Sequence, residues 1–183
     1  MKMEKKIINI LILLIINYYI SLTFNNVKAK EITIKNDENF HNLNNILREN
    51  INEDDHLILN FVDSYYNMEL LNDYGIDITV LSNISFIGNK NGTIFDYRNN
   101  YKGAFKIILN KESIIKVENI IFENFNTQGF VHAMKLDIFF PNFKIIISQC
   151  TFRYNHHAFF AINFEYPQLF HSENNINFND CNF

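Results

Sequence analysis

Apolar and polar side chains alternate in short segments after residue 30, and this period of two predicts β-strands. Glu31–Lys35 is the first such segment, and His56–Val62 is the second. Between them the apolar side chains recur at helical spacing and predict a helix of about three turns. These positions are Phe40, Leu43, Leu47 and Ile51. Asn36 and Asp37 precede this helix and can cap it. We expect the helix to cover one end of an all-β fold; an ordinary surface helix would give the same pattern.

Beyond residue 75 a six-residue phrase recurs four times: apolar, polar, Asn-like, Ile or Cys, any residue, Phe. The copies are residues 81–86, 117–122, 147–152 and 178–183. Successive final Phe residues are 36, 30 and 31 positions apart. Such a period indicates stacked repeats that bury one continuous core. We therefore expect one core stack of rings, made of Phe86, Phe122, Phe152 and Phe183.

The alternation slips by one residue inside each copy of the phrase. In a straight strand this slip would turn one half of the apolar side chains toward solvent. A one-residue bend between the halves keeps both facing the same interior, and Asn and Asp tolerate the backbone conformations that a bend requires. The predicted corner positions are Asn83, Asn119, Gln149 and Asp180.

This pattern resembles the repeat of the right-handed parallel β-helix, or pectin-lyase-like, family. The resemblance covers about residues 54–183, and Phe86–Asn89 and Phe152–Asn155 carry the Phe-x-x-Asn phrase common in secreted β-helices. It implies a right-handed parallel β-helix of about four to five coils over residues 56–183, with residues 30–55 as an N-terminal strand and capping helix. An antiparallel sandwich is the alternative, but its strands recur every 8–12 residues rather than about every 30.

Residues 1–29 have the pattern of a secretory signal peptide, which predicts an extracellular protein. Lys2, Lys5 and Lys6 precede the apolar stretch Ile7–Leu22, and Val27-Lys28-Ala29 offers a cleavage site. An uncleaved membrane anchor is the alternative. However, the apolar stretch is shorter than the roughly 20 residues that span a bilayer. A membrane is an expected partner only under that alternative.

In an extracellular protein, two further features of the sequence become candidate modification sites. Asn83-Ile84-Ser85 and Asn91-Gly92-Thr93 match the N-glycosylation signal, so Asn83 and Asn91 are candidate acceptors in a glycoprotein. Cys150 and Cys181 hold the same repeat position one coil apart, and the spacing of adjacent strands permits a disulfide. Two free buried thiols are the alternative, and we favour it, because in-register stacked side chains point the same way rather than toward each other.

Composition excludes several functional classes. With 48% hydrophobic and 20% charged residues, the chain has too much apolar and too little charged content for intrinsic disorder. Its net charge of −4 also argues against a nucleic-acid partner, which would require a basic surface.

Candidate catalytic groups do not converge in the sequence. Polysaccharide hydrolases need two carboxylates at a set separation, whereas the aspartates here lie singly, at Asp63, Asp73, Asp77, Asp96 and Asp137. His156 and His157 would point to opposite faces of a strand, so we place them in a loop. His132 and His171 have no acidic neighbour in sequence. We assign no catalytic residue, no cofactor and no metal.

Aromatic doublets point instead to contact with sugars, because a doublet within a strand places one ring outside. Phe139-Phe140, Phe159-Phe160 and Tyr65-Tyr66 are such doublets, and Tyr97 is a further candidate. We expect a secreted, non-enzymatic surface, adhesion or carbohydrate-contact module whose partner is a carbohydrate or cell-surface polymer.

Two other functional interpretations stay open. One is a polysaccharide-active lyase or hydrolase, and the other is a truncated copy of a larger β-helix protein. Phe183 falls inside the repeat phrase without a polar cap after it. An open end of this kind also predicts self-association, since unpaired strands and apolar rings invite contacts.

Overall fold

The computed structural model describes residues 28–51, 55–127, 129, 131–165 and 176–183. Within them the strands form a parallel β-solenoid of about five turns, with one short helix near the N-terminus. The predicted parallel solenoid is therefore confirmed, and the antiparallel sandwich is excluded. The predicted signal peptide falls outside the described residues except for Lys28 and Ala29, which belong to the first strand.

After the N-terminal strand and the helical segment, the chain passes repeatedly through three sheets in the same order. Sheet 1 contains β1 (Lys28–Ile34), β2 (Asp55–Phe61), β5 (Ile84–Gly88), β8 (Ser113–Glu118), β11 (Phe143–Ser148) and β14 (Ile176–Asn179). Sheet 2 contains β3 (Tyr65–Asn67), β6 (Thr93–Asn100), β9 (Ile120–Phe125) and β12 (Thr151–Arg153). Sheet 3 contains β4 (Gly75–Val80), β7 (Ala104–Leu109), β10 (Met134–Ile138) and β13 (Phe160–Phe164). The paired strands are parallel in all three sheets.

The inward positions of the three sheets form one apolar core. In β4, for example, Ile76, Ile78 and Val80 are buried, whereas Asp77 and Thr79 between them are exposed. Parallel pairing places like positions of successive coils on top of one another, so each coil extends the core of the previous one. Outward positions of the same strands remain available for contacts with other molecules.

The one-residue corners occur between sheets 1 and 2. Asn119, Gln149 and Asp180 have positive φ angles of 57°, 54° and 52°. This left-handed conformation turns the chain sharply while the alternating side chains on both sides still face inward.

The predicted register of the first copy of the phrase is wrong. Phe86 lies in β5 and pairs with Val117, so it does not belong to the ring stack of Phe122. Asn83 precedes β5 and is not a corner with positive φ; its side chain accepts a hydrogen bond from the Ile114 N–H at 2.8 Å. The reason is that this coil turns from sheet 1 to sheet 2 through a longer loop, Asn89–Gly92, which an ungapped alignment misses.

The ring stack in sheet 2 therefore has a different first member. Phe95 pairs with Phe122 in the sheet, and their ring centroids are 5.6 Å apart. Phe122 stacks on Phe152 at 5.3 Å, and Phe152 stacks on Phe183 at 5.1 Å. The predicted stack thus keeps three of its four rings, and Phe95 takes the place of Phe86.

The predicted N-terminal helix is confirmed, but its start is not where the sequence indicated. A 3-10 turn over Phe40–Asn42 leads directly into α1 (Leu43–Asn50). Asn39, rather than Asn36 or Asp37, precedes it, and the Asn39 side chain accepts the Lys35 N–H at 2.8 Å. The Phe40 ring lies 4.8 Å from that of Tyr66 in β3. The helical segment therefore covers the apolar core beside the first strand of sheet 2.

Candidate functional site

Two tyrosine rings lie side by side on the outside of the corner between sheets 2 and 3. Tyr74 directly precedes β4, and Tyr101 precedes β7 in the next coil. Their centroids are 5.2 Å apart, and the two side chains are 60% and 36% exposed. Val131, which is 39% exposed, continues the row at the same corner of the third coil. We call the surface around Tyr74, Tyr101 and Val131 the tyrosine groove.

A bulge at the end of β6 positions Tyr101. Arg98 and Asn99 both have positive φ, and the pairing of β6 with β9 shifts between Asp96 and Asn100. The Asn100 side chain then accepts the Tyr101 N–H at 2.7 Å, which closes a tight turn. The turn therefore holds the Tyr101 backbone at the corner with its ring directed outward.

Glycine keeps the backbone of the two coils together at this corner. The Gly103 N–H donates to the Tyr74 carbonyl at 2.8 Å. Gly103 has a φ of 84°, and a Cβ there would lie 2.8 Å from the Cε of Met68. A larger residue would be strained at this φ and would displace the ends of the Met68 and Leu71 side chains. The close backbone approach fixes Tyr101 beside Tyr74, and a hydrogen bond with Tyr101 raises the pKa of Tyr74 above its ordinary value.

Two open cavities meet at Tyr101 and Val131. The one on the sheet 2 side has a volume of about 440 Å³, and Asn99, Asn100 and Asn126 are among its lining residues. The Asn100 side chain is already bonded to Glu69 and to the Tyr101 N–H, whereas the side-chain amides of Asn99 and Asn126 can both donate hydrogen bonds to and accept them from the hydroxyl groups of a ligand. Tyr101 and Val131 also line this cavity and add apolar surface to it.

The cavity on the sheet 3 side has a volume of about 310 Å³ and includes charged side chains. Asp77 faces Lys106 in the sheet register, and Lys106 faces Lys135. Lys135 forms an ion pair with Asp137 at 3.2 Å. Burial alone would raise the pKa of Asp137, but hydrogen bonds from Asn163 and Lys135 lower it below its ordinary value. Asp137 is thus held as a charged structural partner of Lys135.

The structure places the candidate Asp96 beside a second carboxylate, Glu123. Asp96 and Glu123 are direct neighbours on the outer face of sheet 2. Asp96 is only 5% exposed and accepts hydrogen bonds from the Tyr65 hydroxyl at 2.7 Å and the Asn124 amide at 2.8 Å. Glu123 forms a two-bond ion pair with Arg153 at 2.7 and 2.6 Å.

These contacts argue against a catalytic role for the pair. A glycosidase needs one of its two carboxyl groups to stay protonated near neutral pH, which requires a raised pKa. Burial favours a raised pKa at Asp96, but its hydrogen bonds and the Arg98 charge lower the pKa overall. Both carboxylates are occupied as charged partners of neighbouring side chains.

The predicted aromatic candidates divide between surface and core. Tyr65 is 36% exposed, whereas the Tyr66 hydroxyl is buried and donates to the Ile34 carbonyl at 2.6 Å. Tyr97 is fully buried, so its proposed role as an exposed ring was wrong. Phe159 packs on the core ring of Phe122 at 5.1 Å. The tyrosines of the groove were missed because each is single in the sequence. Both tyrosines shortly precede strands of sheet 3, and this shared position is the feature of the sequence that could have identified them.

The remaining candidates lie apart from the groove or have no assigned chemistry. His156 and His157 are exposed in the segment after β12, and His132 lines the cavity on the sheet 3 side, while His171 falls outside the described residues. Asn91 is exposed and Asn83 is partly buried. Cys150 and Cys181 carry free thiols. Among the described residues there is no group of three His, Cys, Asp or Glu side chains placed to hold a metal ion.

Comparison with known proteins assigns the chain to no family. No family model, no curated protein and no solved structure matches the chain. Within the part of the chain that the structure describes, no helix has both the length and the apolar character needed to cross a membrane. The described residues form a parallel β-solenoid that carries the tyrosine groove on its outer surface.

Proposed function

We propose that this protein is a secreted, non-enzymatic β-solenoid that binds carbohydrate in the tyrosine groove. The observation that carries the proposal is the adjacent, exposed pair of Tyr74 and Tyr101. Sugar rings present C–H groups on their flat faces, which pack on aromatic rings, and hydroxyl groups at their edges, which hydrogen-bond to amides. The groove offers both kinds of contact, since Asn99 and Asn126 line the wall beside Tyr101.

The direction of the groove favours an extended polymer over a single sugar. Tyr74, Tyr101 and Val131 come from three successive coils, and the pairing of β4, β7 and β10 aligns these coils along the solenoid axis. A chain lying along that axis would contact all three side chains. Extracellular polysaccharides and the glycans of a cell surface have this shape.

Binding to an array of plant, microbial and animal glycans tests the proposal, with the purified wild-type chain beside Tyr74→Ala and Tyr101→Ala. We expect the wild type to bind one glycan class and each variant to bind it at least about tenfold more weakly, a loss of about 1.4 kcal/mol. Tyr154→Ala is the matched control, because Tyr154 is 69% exposed but lies beside Arg153 at the end of β12. Equal loss in the control, or no glycan binding at all, would refute the proposal.

Secretion rests on the N-terminal pattern of residues 1–29 and has its own test. Expression of the full chain in a secreting cell should release protein whose N-terminal residue is Lys30. Lys28 and Ala29 pair with Asp55 and His56, so cleavage shortens β1 and leaves Lys30–Ile34 paired with residues of β2. Protein that stays in the membrane fraction with an intact N-terminus would contradict secretion.

A further inference from the structure

Cys150 and Cys181 occupy equivalent places in successive coils. Each follows a corner residue with positive φ, Gln149 in one coil and Asp180 in the next. The Asn182 N–H donates to the Cys150 carbonyl at 3.0 Å, and the Phe152 N–H donates to the Asn182 carbonyl at 2.8 Å. The two cysteine backbones are therefore neighbours in hydrogen-bonded segments. Such segments lie about 4.8 Å apart, within the range of Cα separations that a disulfide spans.

The two thiols also make equivalent contacts. The Cys150 Sγ lies 3.3 Å from the carbonyl oxygen of Ser148 and 3.7 Å from that of Val117 in the preceding coil. The Cys181 Sγ lies 3.4 Å from the carbonyl oxygens of Asn179 and Ile147. Both thiols thus point toward the coil before their own. A thiol is a weak hydrogen-bond donor, so rotating Cys150 toward Cys181 gives up little.

We propose that Cys150 and Cys181 form a disulfide that links the last two coils when the protein meets a small-molecule disulfide oxidant. Cys181 is partly exposed and Cys150 is fully buried, so Cys181 reacts first. Its thiolate attacks one sulfur of the oxidant and releases one small thiol, which leaves a mixed disulfide on Cys181. Cys150 then attacks the Cys181 Sγ and expels the second small thiol. Two protein thiols are oxidised, and one small disulfide is reduced to two thiols.

We expect the second exchange to be the slower step, because Cys150 is fully buried. Burial raises the pKa of the Cys150 thiol to about 12, so little of it is thiolate near neutral pH. Only the thiolate attacks a disulfide. The mixed disulfide on Cys181 should therefore accumulate first and convert faster as the pH rises.

The cross-link would act on the end of the core. Phe178 and Phe183 flank Cys181 in the last coil and are 41% and 79% exposed. Much of the apolar surface of the last coil is therefore exposed to solvent. A disulfide to the preceding coil would limit how far the last coil can separate from the core. Because the bond closes a long loop, it should raise the thermal midpoint by about 5 °C or more.

The experiment treats the folded, purified full chain with oxidised glutathione and follows its intact mass after alkylation in denaturant. We expect a product that takes up no alkylating agent, is lighter by two hydrogen atoms, and yields one peptide pair joining Cys150 to Cys181. Reduction should lower its thermal midpoint to that of the untreated chain.

Two variants show whether the order of reaction is right. Cys150→Ser should stop at the mixed disulfide on Cys181, whereas Cys181→Ser should stay unmodified while folded. The proposal is overturned if the mixed disulfide on Cys181 persists after prolonged incubation at raised pH, if both thiols remain open to alkylation, or if Cys181 joins two chains instead. Should a variant fail to fold, the peptide map of the wild type alone decides.

Discussion

The backbones of Gly88 and Asn119 meet at the corner between sheets 1 and 2, where a Cβ on Gly88 would lie only 2.2 Å from the Asn119 carbonyl oxygen. The same oxygen accepts the Thr93 N–H at 2.9 Å, and the Asn119 N–H donates to the Ser148 carbonyl at 3.2 Å. Asn119 itself is held at a φ of 57°. Three coils thus share one hydrogen-bonded corner that has no room for a side chain at position 88.

Gly88→Ala should therefore destabilise the fold by about 3 kcal/mol, at the upper end of the usual cost of overpacking, because backbone atoms must move to admit the new methyl group. Urea unfolding followed by circular dichroism measures the change. Gly75→Ala is the matched control. A Cβ on Gly75 would meet the Ala104 carbonyl oxygen at 3.6 Å, an ordinary contact. Equal stability of the two variants would contradict the close approach.

Asp96→Asn should remove part of the acid sensitivity of the fold. Burial opposes ionisation of this carboxyl group, but hydrogen bonds from Tyr65, Asn124 and the Arg98 N–H lower its pKa below the ordinary value. The folded state thus favours the charged form. The Asp96 carboxylate contributes fully to the free energy of unfolding above about pH 4, which is the ordinary pKa of an aspartate. This contribution is lost as the pH falls through the lower pKa that Asp96 has in the folded state. At neutral pH the variant should lose about 1.5–3 kcal/mol of unfolding free energy.

Unfolding free energy measured between pH 7 and pH 2 tests this prediction. The wild type should lose stability below about pH 4, and the difference from Asp96→Asn should shrink there. Asp77→Asn serves as control, since Asp77 is exposed on the outer face of β4. A constant difference between wild type and Asp96→Asn at every pH would show that the charge is not what stabilises the site.

The purified chain should associate with itself through the last coil, because large rings are exposed there. Phe183 is 79% exposed, and Phe178 and Phe164 are 41% and 40% exposed. Burying such a ring in a second molecule is favourable by about 1.5–3 kcal/mol. Phe183→Ser should therefore weaken association, as measured by sedimentation velocity over a range of concentrations.

Leu70→Ser provides the comparison for Phe183→Ser, because Leu70 is 54% exposed but lies between β3 and β4 in the first coil. It should leave the association constant unchanged. A monomeric wild type at the highest concentration, or equal weakening by both variants, would reject association through the last coil.

Much of the repeat could be predicted from the sequence because its period is nearly constant after residue 117. Asn119, Gln149 and Asp180 stand 30 and 31 positions apart, and each is a left-handed corner in the structure. The prediction failed at Phe86, where the corner is a loop rather than one residue. An insertion of this kind keeps the fold but changes the register, and an ungapped comparison of one sequence cannot detect it.

The sequence by itself determined that this chain stacks its strands, because alternating side chains bend at polar corners and recur at a fixed period. It also determined three of the four rings that stack in sheet 2, namely Phe122, Phe152 and Phe183. Only the tertiary structure decided which surface residues meet. Tyr74 and Tyr101 lie 27 positions apart in the chain and touch because β4 and β7 pair in parallel. Asp96 and Glu123 become neighbours for the same reason. Contacts across coils depend on the length of every corner between them, and local side-chain preferences do not set that length.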